Sequence, residues 1–398
     1  NSSTLSQGLN FQPGVRVETN CQNCGFQQVR INGLDGPYTQ ILIDSRPVFS
    51  ALSGVYGLEQ IPASMIERVE VMRGGGSALF GSSAIAGTIN IITKEPLRNS
   101  GQLSHTITSL GGSSSFDNNT SLNASLVTDD HRAGLYIFGQ NRYRSGYDYD
   151  GDGFTELPKL KNQTVGFRSY LKTSTYSKLT FEYHHMQEFR RGGDMLNRPP
   201  HEAHIAEQLQ HSIDGGSLKF DYFSPDEKNR LSVFASAANT DRDSYYGPGN
   251  DPLKAYGKTT DLTAMGGAQY VHTFDKCFFM PSDLTAGLEY NRDRLKDNMW
   301  GYNRHTDQTV NIYSAFLQNE WKNDRWGILI GGRLDKHNMV DNVIFSPRAN
   351  LRFNPTQNIN LRLSYSSGFR APQAFDEDMH IENVGGTVAM IERAKDLK

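Results

Sequence analysis

The chain has 398 residues, enough for two or three ordinary domains or for one small domain and one large β-structure. Its net charge is −3 and we find no lysine–arginine run, so composition argues against a nucleic-acid partner. No apolar run approaches the roughly 18 residues that a membrane-spanning helix needs. Transmembrane β-barrels have the same low hydropathy, because their strands alternate apolar lipid-facing and polar lumen-facing residues.

The segment before Pro96 contains short β-branched runs separated by glycine-rich turns, after a start that is typical of a helix N-terminus. The runs are residues 28–31, 39–43, 66–71 and 88–92, and they predict a small mixed sheet. Residues 57–62 and 74–81 are predicted as loops or short helices. No signal peptide heads the chain, which predicts that processing or truncation has removed earlier residues.

Beyond Pro96 the chain becomes a series of strand-length stretches in which apolar and polar residues alternate. Residues 179–184, 347–353 and 359–365 each have one apolar face and one polar or cationic face. A soluble sandwich would turn the apolar face inward, whereas a membrane barrel would turn it toward lipid. Alternation alone fits both folds, and the placement of Leu179, Phe181 and Tyr183 distinguishes them.

Connections between these stretches alternate in length. Short turns are expected near 128–132, 173–177, 224–229, 322–325 and 354–357, and long polar loops near 144–158, 187–210, 240–258 and 293–308. In an antiparallel meander every second connection lies on the same rim, so one rim should carry tight turns and the other long loops. The sequence therefore predicts a transmembrane, antiparallel, up-and-down β-barrel of about 13 strands, which is incomplete because bacterial outer-membrane barrels have an even number of strands.

Several motifs in the first segment stand in one recognisable order. They are residues 9–15 (LNFQPGV), 29–34 (VRINGL), 41–48 (ILIDSRPV), 61–74 (IPASMIERVEVMRG) and 77–94 (SALFGSSAIAGTINIITK). Together they resemble the plug domain of TonB-dependent outer-membrane receptors, although Asn32 and Ser45 replace residues that are usually smaller. Gly368–Pro372 (GFRAP) resembles the FRAP box of haem and other metal-chelate receptors of that family.

The resemblance implies a small mixed α/β plug, residues 1–96, inside the lumen of a partial barrel, residues 97–398. It also implies TonB-dependent active transport of a scarce metal chelate, with haem or an iron complex favoured and cobalamin as the competitor. No catalytic constellation and no required cofactor are expected. The implied partners are the TonB–ExbB–ExbD complex, outer-membrane lipid and the chelate, with a surface lipoprotein as an optional addition.

Two other classes of function stay open at this point. One is a non-transporting surface receptor or adhesin, which would have no need of a blocked lumen. The other is a soluble extracellular β-protein with an enzymatic N-terminal domain. The chain also lacks a TonB box before residue 1 and a terminal aromatic strand, so we expect either a partial protein or a chain completed by another polypeptide.

Charged residues are candidates for ion pairs between the plug and the barrel. Arg30 and Arg73 end or interrupt plug strands, and Glu182, Glu289 and Glu320 face the lumen by strand parity. The resemblance implies exchangeable Arg–Glu pairs between plug and barrel. The competing interpretation is that both arginines lie on an ordinary surface.

Cysteines and histidines are candidates for contacting the ligand. Cys21 and Cys24 form a CxxC on a loop that the resemblance places at the apical face of the plug. A local disulfide is the simplest interpretation, ahead of a soft-metal or ligand contact and of thioredoxin-like chemistry. His201, His204 and His380 are candidate ligand-binding residues, or ordinary loop residues. Residues 1–96 contain no histidine, so a bis-histidine haem site spanning plug and barrel is not available.

One acidic stretch resembles the first half of an EF-hand loop. Asp148, Asp150, Asp152 and Glu156 space carboxylates around glycines, which predicts a structural Ca²⁺ site in a long external loop. The match fails at the twelfth position, where Lys159 replaces the bidentate Glu. A solvated acidic turn is the alternative.

Overall fold

The computed structural model describes residues 5–21, 25–45, 61–76, 81, 84–248, 255–374, 379–384 and 387–389. These residues are almost wholly β-strand, apart from one α-helix, α1 (Leu5–Leu9), and four 3₁₀ turns: Gly36–Tyr38, Ala63–Met65, Pro200–Glu202 and Trp300–Tyr302. None of the helices in this described part is long and apolar enough to cross a membrane.

The N-terminal strands form two separate units. A hairpin joins β1 (Val15–Cys21) to β2 (Phe26–Ile31). The second unit is a three-stranded sheet in the order β3–β5–β4, with β3 (Thr39–Ile43), β4 (Ile66–Arg73) and β5 (Gly87–Thr93). Because β3 pairs with β5 in parallel and β4 pairs antiparallel, the predicted mixed sheet is confirmed. The run at 28–31 lies in the hairpin instead.

The core of this segment is built around β5. Its Ile89 and Ile91 are fully buried and pack with Ile31, Val29 and Met65. β5 is buried along nearly its whole length because it is the central strand, which explains why its residues other than Gly87 and Asn90 are apolar or threonine. The hairpin and the sheet therefore share one core.

Thirteen further strands form a single antiparallel sheet, here called the wall, in which each strand pairs with its neighbours in sequence. They are β6 (Ser100–Ser109), β7 (Phe116–Val127), β8 (Ala133–Arg144), β9 (Lys159–Ser174), β10 (Ser177–Gly193), β11 (Ile205–Phe223), β12 (Asn229–Pro248), β13 (Tyr256–Cys277), β14 (Met280–Met299), β15 (Arg304–Lys322), β16 (Trp326–His337), β17 (Ile344–Thr356) and β18 (Ile359–Ser366). The predicted meander of about 13 strands is confirmed. After it come β19 (Glu382–Val384) and β20 (Thr387–Ala389).

The two faces of the wall have the polarity of a membrane barrel. On β10, Phe181 and Tyr183 are 44% and 39% exposed, while Thr180 and Glu182, which alternate with them, are buried. The same alternation holds on other strands, where Leu288, Leu317 and Ile330 face outward. A soluble sandwich would bury these apolar side chains, so their exposure excludes that fold and leaves the inverted polarity of a transmembrane barrel.

The predicted rim of tight turns is present. β7 and β8 are joined by residues 128–132, β11 and β12 by 224–228, and β15 and β16 by 323–325. In the first turn the Thr128 hydroxyl donates to the Asp130 carboxylate, and this hydrogen bond lowers the pKa of Asp130. Ser224 and Asp226 repeat the same contact in the second turn. A short hydroxyl-to-Asp contact thus fixes both turns.

The opposite rim differs from the prediction, because several of its loops are much shorter than expected. β14 and β15 are separated only by residues 300–303, although 293–308 were expected to be loop. Likewise β10 and β11 extend into 187–210, and β12 and β13 extend into 240–258. Strands β11 to β15 have 19 to 22 residues, while about 9–11 suffice to span a membrane. Toward this rim the outward-facing side chains are polar as well as the inward-facing ones. The alternation of apolar and polar residues that marks a strand in the sequence is therefore lost there.

Candidate functional site in the lumen

The plug is packed against the inner face of the wall on one side through apolar side chains, here called the β8 contact. Tyr136 and Phe138 of β8 are 3% and 2% exposed and belong to the same cluster as Met65 and Ile91 of the plug. The Tyr136 hydroxyl donates to the backbone carbonyl of Ser64 at 2.6 Å. The wall therefore completes the plug's hydrophobic core at this point.

A second attachment is ionic and lies on β9 and β10; it is here called the Arg168 cluster. The Arg168 guanidinium donates to Asp44 and Thr93 of the plug, and it lies 3.4 Å from the Glu182 carboxylate and 3.6 Å from that of Glu95. Lys178 completes the cluster, with its ammonium 3.0 Å from Glu95. Here the wall supplies the cations and the plug supplies most of the carboxylates.

This arrangement corrects the predicted plug–wall pairs. Arg30 forms ion pairs within the plug, with Glu18 at 2.5 Å and Asp35 at 2.9 Å, because the β1–β2 register makes Glu18 its diagonal neighbour. Arg73 lies beside Gly14, and among the described residues it forms no ion pair with the wall. At the Arg168 cluster the wall supplies the cation and the plug supplies carboxylates, which is the reverse of the prediction.

The three predicted glutamates do face the lumen, as parity indicated, but their arginine partners belong to the wall. Glu182 joins Arg168, and Glu289 accepts from Arg333 at 2.7 Å. Glu320 is half-buried and has Arg348 as its charged neighbour. Arg333 also approaches the plug, since a Cβ at Gly81 would lie 3.5 Å from its guanidinium.

A cavity of about 500 Å³ separates plug and wall next to the Arg168 cluster, in the half of the lumen nearer the tight turns. Small inward-facing residues make this room, namely Ser217 of β11 and its cross-strand partner Ser236 of β12. His184 also lines the cavity, and its Nδ1 has no hydrogen-bond partner among the described residues. Polar walls and a volume of this size suit bound water.

Charged and polar side chains line the other half of the lumen in one row across five strands. The register places Glu188, His211, Arg242, Thr259 and Asp297 side by side on β10 to β14. Each is at most 2% exposed. Buried charges need partners, and this row supplies them internally.

Members of this row make short contacts with each other and with two further arginines. Arg190 donates through Nε to Glu188 at 2.8 Å, and the Thr259 hydroxyl donates to Asp297 at 2.7 Å. Arg304 donates to the other Asp297 oxygen at 3.0 Å. Guanidinium and carboxylate groups therefore line the upper lumen along β10 to β15.

The network reaches the apical face of the plug at one point. Arg190 donates through Nη1 to the backbone carbonyl of Gly25 at 3.3 Å. Gly25 has φ +67°, and a Cβ there would lie 2.9 Å from Pro158, so both backbone and space favour glycine. It directly follows Cys24, which lies outside the described residues, while Cys21 ends β1. The disulfide and ligand roles of the CxxC stay predictions.

The candidate histidines lie near the upper rim, and each already has a partner. His201 shares a 2.8 Å hydrogen bond with the Tyr256 hydroxyl, and His204 lies 2.6 Å from the Asp194 carboxylate. His380 lies 3.5 Å from Glu207 and has its ring against Tyr246. In the described part of the chain the three do not converge on one metal position.

Described residues after β18 contact wall strands that lie well away from the sheet edge formed by β18. His337 of β16 shares a hydrogen bond with Gln373 at 3.3 Å, and Arg304 donates to the Met379 carbonyl at 2.7 Å. His380 then reaches β11 and β12 through Glu207 and Tyr246. The residues that follow the GFRAP motif therefore cover part of the upper lumen.

The four predicted calcium ligands are brought together. One carboxylate oxygen from each of Asp148, Asp150, Asp152 and Glu156 lies within 4.8 Å of the others. Asp148 also accepts from the backbone N–H groups of Gly151 and Gly153, at 2.7 and 2.9 Å. Such contacts also hold an acidic turn without a metal, so the Ca²⁺ role stays a prediction.

Comparison with known proteins bears on this architecture. Residues 1–88 match the family described as TonB-dependent Receptor Plug Domain, and residues 86–398 match TonB dependent receptor-like, beta-barrel. The predicted domain boundary at residues 96 and 97 is close to this junction but is not itself tested.

Individual relatives are receptors and transporters. A ferric enterobactin receptor of Pseudomonas aeruginosa is 36% identical over 107 residues, covering 24% of this chain and 14% of the relative. The vitamin B12 transporter BtuB of Vibrio vulnificus is 23% identical over 392 residues, covering 94% of this chain and 59% of the relative. The chain thus spans less than two thirds of the length of these relatives.

Solved structures share the fold. The siderophore receptor PirA of Acinetobacter baumannii superimposes with a TM-score of 0.80 at 20% identity, over 93% of this chain and 59% of that one. An enterobactin complex of PfeA, the ferric enterobactin receptor of Pseudomonas aeruginosa, gives 0.75 at 20% identity, over 94% and 61%. Taken with the family match over residues 86–398, the plug inside an outward-apolar wall identifies the chain as a member of the TonB-dependent receptor family.

Proposed function

We propose that the protein imports an iron chelate across the bacterial outer membrane, driven by TonB with ExbB and ExbD. The observation that carries this proposal is a lumen obstructed by a plug that the wall holds partly through exchangeable ion pairs. An adhesin gains nothing from a blocked lumen, whereas an importer needs a gate. The outward apolar face of the wall is the surface that membrane lipid would cover.

The chemistry of the upper lumen favours an anionic iron chelate over haem. Arg190, Arg242 and Arg304 line the upper lumen beside Glu188, Thr259 and Asp297, and guanidinium forks suit anionic oxygen ligands that would replace these contacts. The three candidate histidines of the upper rim, His201, His204 and His380, are each engaged with another side chain, which disfavours haem at this position. Relatives named as ferric enterobactin receptors support the same cargo class.

Cobalamin is the second candidate cargo. The likeness to BtuB extends over 94% of this chain, far more than the likeness to the ferric enterobactin receptor. BtuB is only 23% identical to this chain, and a shared fold alone does not define the ligand.

A binding comparison tests the cargo. The full-length protein, purified in detergent, would be titrated with ferric enterobactin, haem and cyanocobalamin while tryptophan fluorescence is followed. We expect ferric enterobactin to bind most tightly. Tightest binding of cyanocobalamin would replace the iron proposal, and a Soret band retained through purification would replace it with haem. Binding without TonB-dependent uptake by cells would favour a non-transporting receptor.

We also propose that Asp148, Asp150, Asp152 and Glu156 bind Ca²⁺ and order the loop between β8 and β9. Calorimetric titration with Ca²⁺ should show binding that the Asp148→Asn/Asp150→Asn variant loses. Asp129→Asn, which removes one exposed carboxylate from a turn on the other rim, serves as the control. Equal heats for all three proteins would leave only a solvated acidic turn.

A further inference from the structure

The cavity between plug and wall carries charges of opposite sign on its two sides. The plug side is lined by three carboxylates, those of Asp44, Glu67 and Glu95. Its one cation, Arg68, turns to Glu70 at 2.9 Å. Asp44 and Glu95 are the two carboxylates that reach the wall. Carboxylates therefore dominate the surface that the plug presents to the cavity.

The wall side carries three cations on neighbouring strands, Arg168 of β9, Lys178 of β10 and Lys219 of β11. Arg168 and Lys219 line the cavity, and Lys178 belongs to the Arg168 cluster. The usual strand spacing places Arg168 and Lys219 about 10 Å apart across the sheet. Two described carboxylates of the wall contact these cations, Glu182 at 3.4 Å and Asp221 at 2.9 Å. The cations of the wall therefore outnumber the carboxylates that the wall provides for them.

Plug carboxylates complete the charge balance. Arg168 donates to Asp44, and the Lys178 ammonium lies 3.0 Å from Glu95, so each of these two cations has a partner on the plug. Movement of the plug during import would withdraw both carboxylates and leave the cations beside a polar cavity. Partly buried charges without partners are costly, so an anion from outside the chain would stabilise them.

Neutral hydrogen-bonding groups surround the same space. The hydroxyl groups of Thr180, Ser217 and Ser236 line the cavity. So does His184, whose Nδ1 has no hydrogen-bond partner in the described part of the chain. Its ring has room because its neighbour is a glycine: a Cβ at Gly215 would lie 2.6 Å from it. The wall thus offers neutral hydrogen-bonding groups as well as cations to an anion in the cavity.

We propose that Arg168, Lys178 and Lys219 form a second anion site, here called the exit site, through which the anionic cargo leaves the lumen. The plug covers this site in the structure and would uncover it on moving. The inference rests on the proposed import of an anionic iron chelate. Arg168 then has two successive partners, Asp44 while the lumen is closed and the cargo once Asp44 has withdrawn. Exchange of one anion for another avoids unpaired cations at each step.

A small anion tests the exit site without the cargo. The probe is benzene-1,3,5-tricarboxylate, an iron-free trianion, titrated by calorimetry into the full-length protein in a neutral detergent. Asp44→Asn/Glu95→Gln, here called the uncovered variant, should bind one more equivalent than the parent, and added salt should abolish this extra binding. Adding Lys219→Gln should weaken the extra binding about tenfold, as is typical of one lost charge-assisted contact.

Two matched variants control for lost charge and for loosening of the plug. Glu18→Gln/Asp35→Asn removes two plug carboxylates whose partner, Arg30, also belongs to the plug, and it should bind no extra equivalent. Lys322→Gln removes a cation of the same rim that pairs with Asp283 of the wall at 2.7 Å. Added to the uncovered variant, it should leave the extra binding unchanged.

Uptake by cells tests whether the cargo uses the site. Lys219→Gln should lower the maximal rate of TonB-dependent ferric enterobactin uptake several-fold and leave equilibrium binding unchanged, because Lys219 lies in the half of the lumen nearer the tight turns. Lys322→Gln should change neither.

Three results would overturn the exit site: no extra trianion bound by the uncovered variant, an equal loss with Lys322→Gln, or an unchanged uptake rate in Lys219→Gln. Failure of the parent to bind ferric enterobactin would instead contradict the proposed function. The trianion titration would still decide whether the site exists, so the two failures are distinguishable.

Discussion

The two attachments of the plug to the wall are built from opposite chemistry. At the β8 contact Tyr136 and Phe138 bury apolar area with Met65 and Ile91, so separating the surfaces there exposes hydrocarbon to water. At the Arg168 cluster the contacts are ion pairs beside a polar cavity, and water can replace them. One side of the plug is therefore held by buried apolar contacts, and the other is held by ion pairs that water can replace.

Removing the apolar attachment should have the largest effect. Phe138→Ala deletes a ring that is 2% exposed, and we expect it to lower the free energy of unfolding by about 3–5 kcal/mol. Chemical unfolding in detergent, with protease digestion to follow the plug, measures this. Ile137→Ala on the outward face is the control. An equal loss in that variant would contradict the special role of the β8 contact.

Removing the ionic attachment should have a smaller effect that depends on salt. Arg168→Met leaves the carboxylates of Asp44 and Glu182 without their guanidinium, which we expect to cost about 1–3 kcal/mol because the cluster is partly exposed. Added salt should weaken the parent's plug attachment but add little to the loss in the variant. Salt-independent protection of the plug in the parent would show that the cluster does not hold it.

The smallest expected effect comes from a single hydrogen bond at the β8 contact. Tyr136→Phe removes the 2.6 Å donation to Ser64 and should cost about 1 kcal/mol. Tyr170→Phe removes a longer contact, 3.4 Å to the His131 carbonyl, and should cost less. The same unfolding measurement compares the two, and a larger loss for Tyr170→Phe would be inconsistent with these geometries.

Much of the fold was predictable because period-two alternation is a local signal. Phe181 and Tyr183 alternate with Thr180 and Glu182 in the sequence, and the structure turns them to opposite faces. The signal fails where both faces are polar, as on β14 near Lys296, and the expected long loops are strands there. Sequence periodicity thus defines the membrane-embedded part of the wall better than the part above it.

The candidate site was less predictable because pairing depends on register between distant strands. Parity placed Glu182 and Glu289 in the lumen, and extending it to β9 and β12 would have found Arg168 and Arg242. It could not have shown that Arg30 turns to Glu18 on its own hairpin. Nor could it have shown that Asp44 meets Arg168, which lies 124 residues later.

The length of the wall strands has a consequence for what the cell presents to its surroundings. β11 to β15 are about twice as long as a membrane requires, and only residues 300–303 separate β14 from β15. The backbone amides in these extensions stay paired across the sheet, so we expect slow hydrogen–deuterium exchange far outside the bilayer. At the proposed outer-membrane location, an antibody or phage that approaches this side would meet the paired ends of β11 to β15 in the part of the chain that the structure describes.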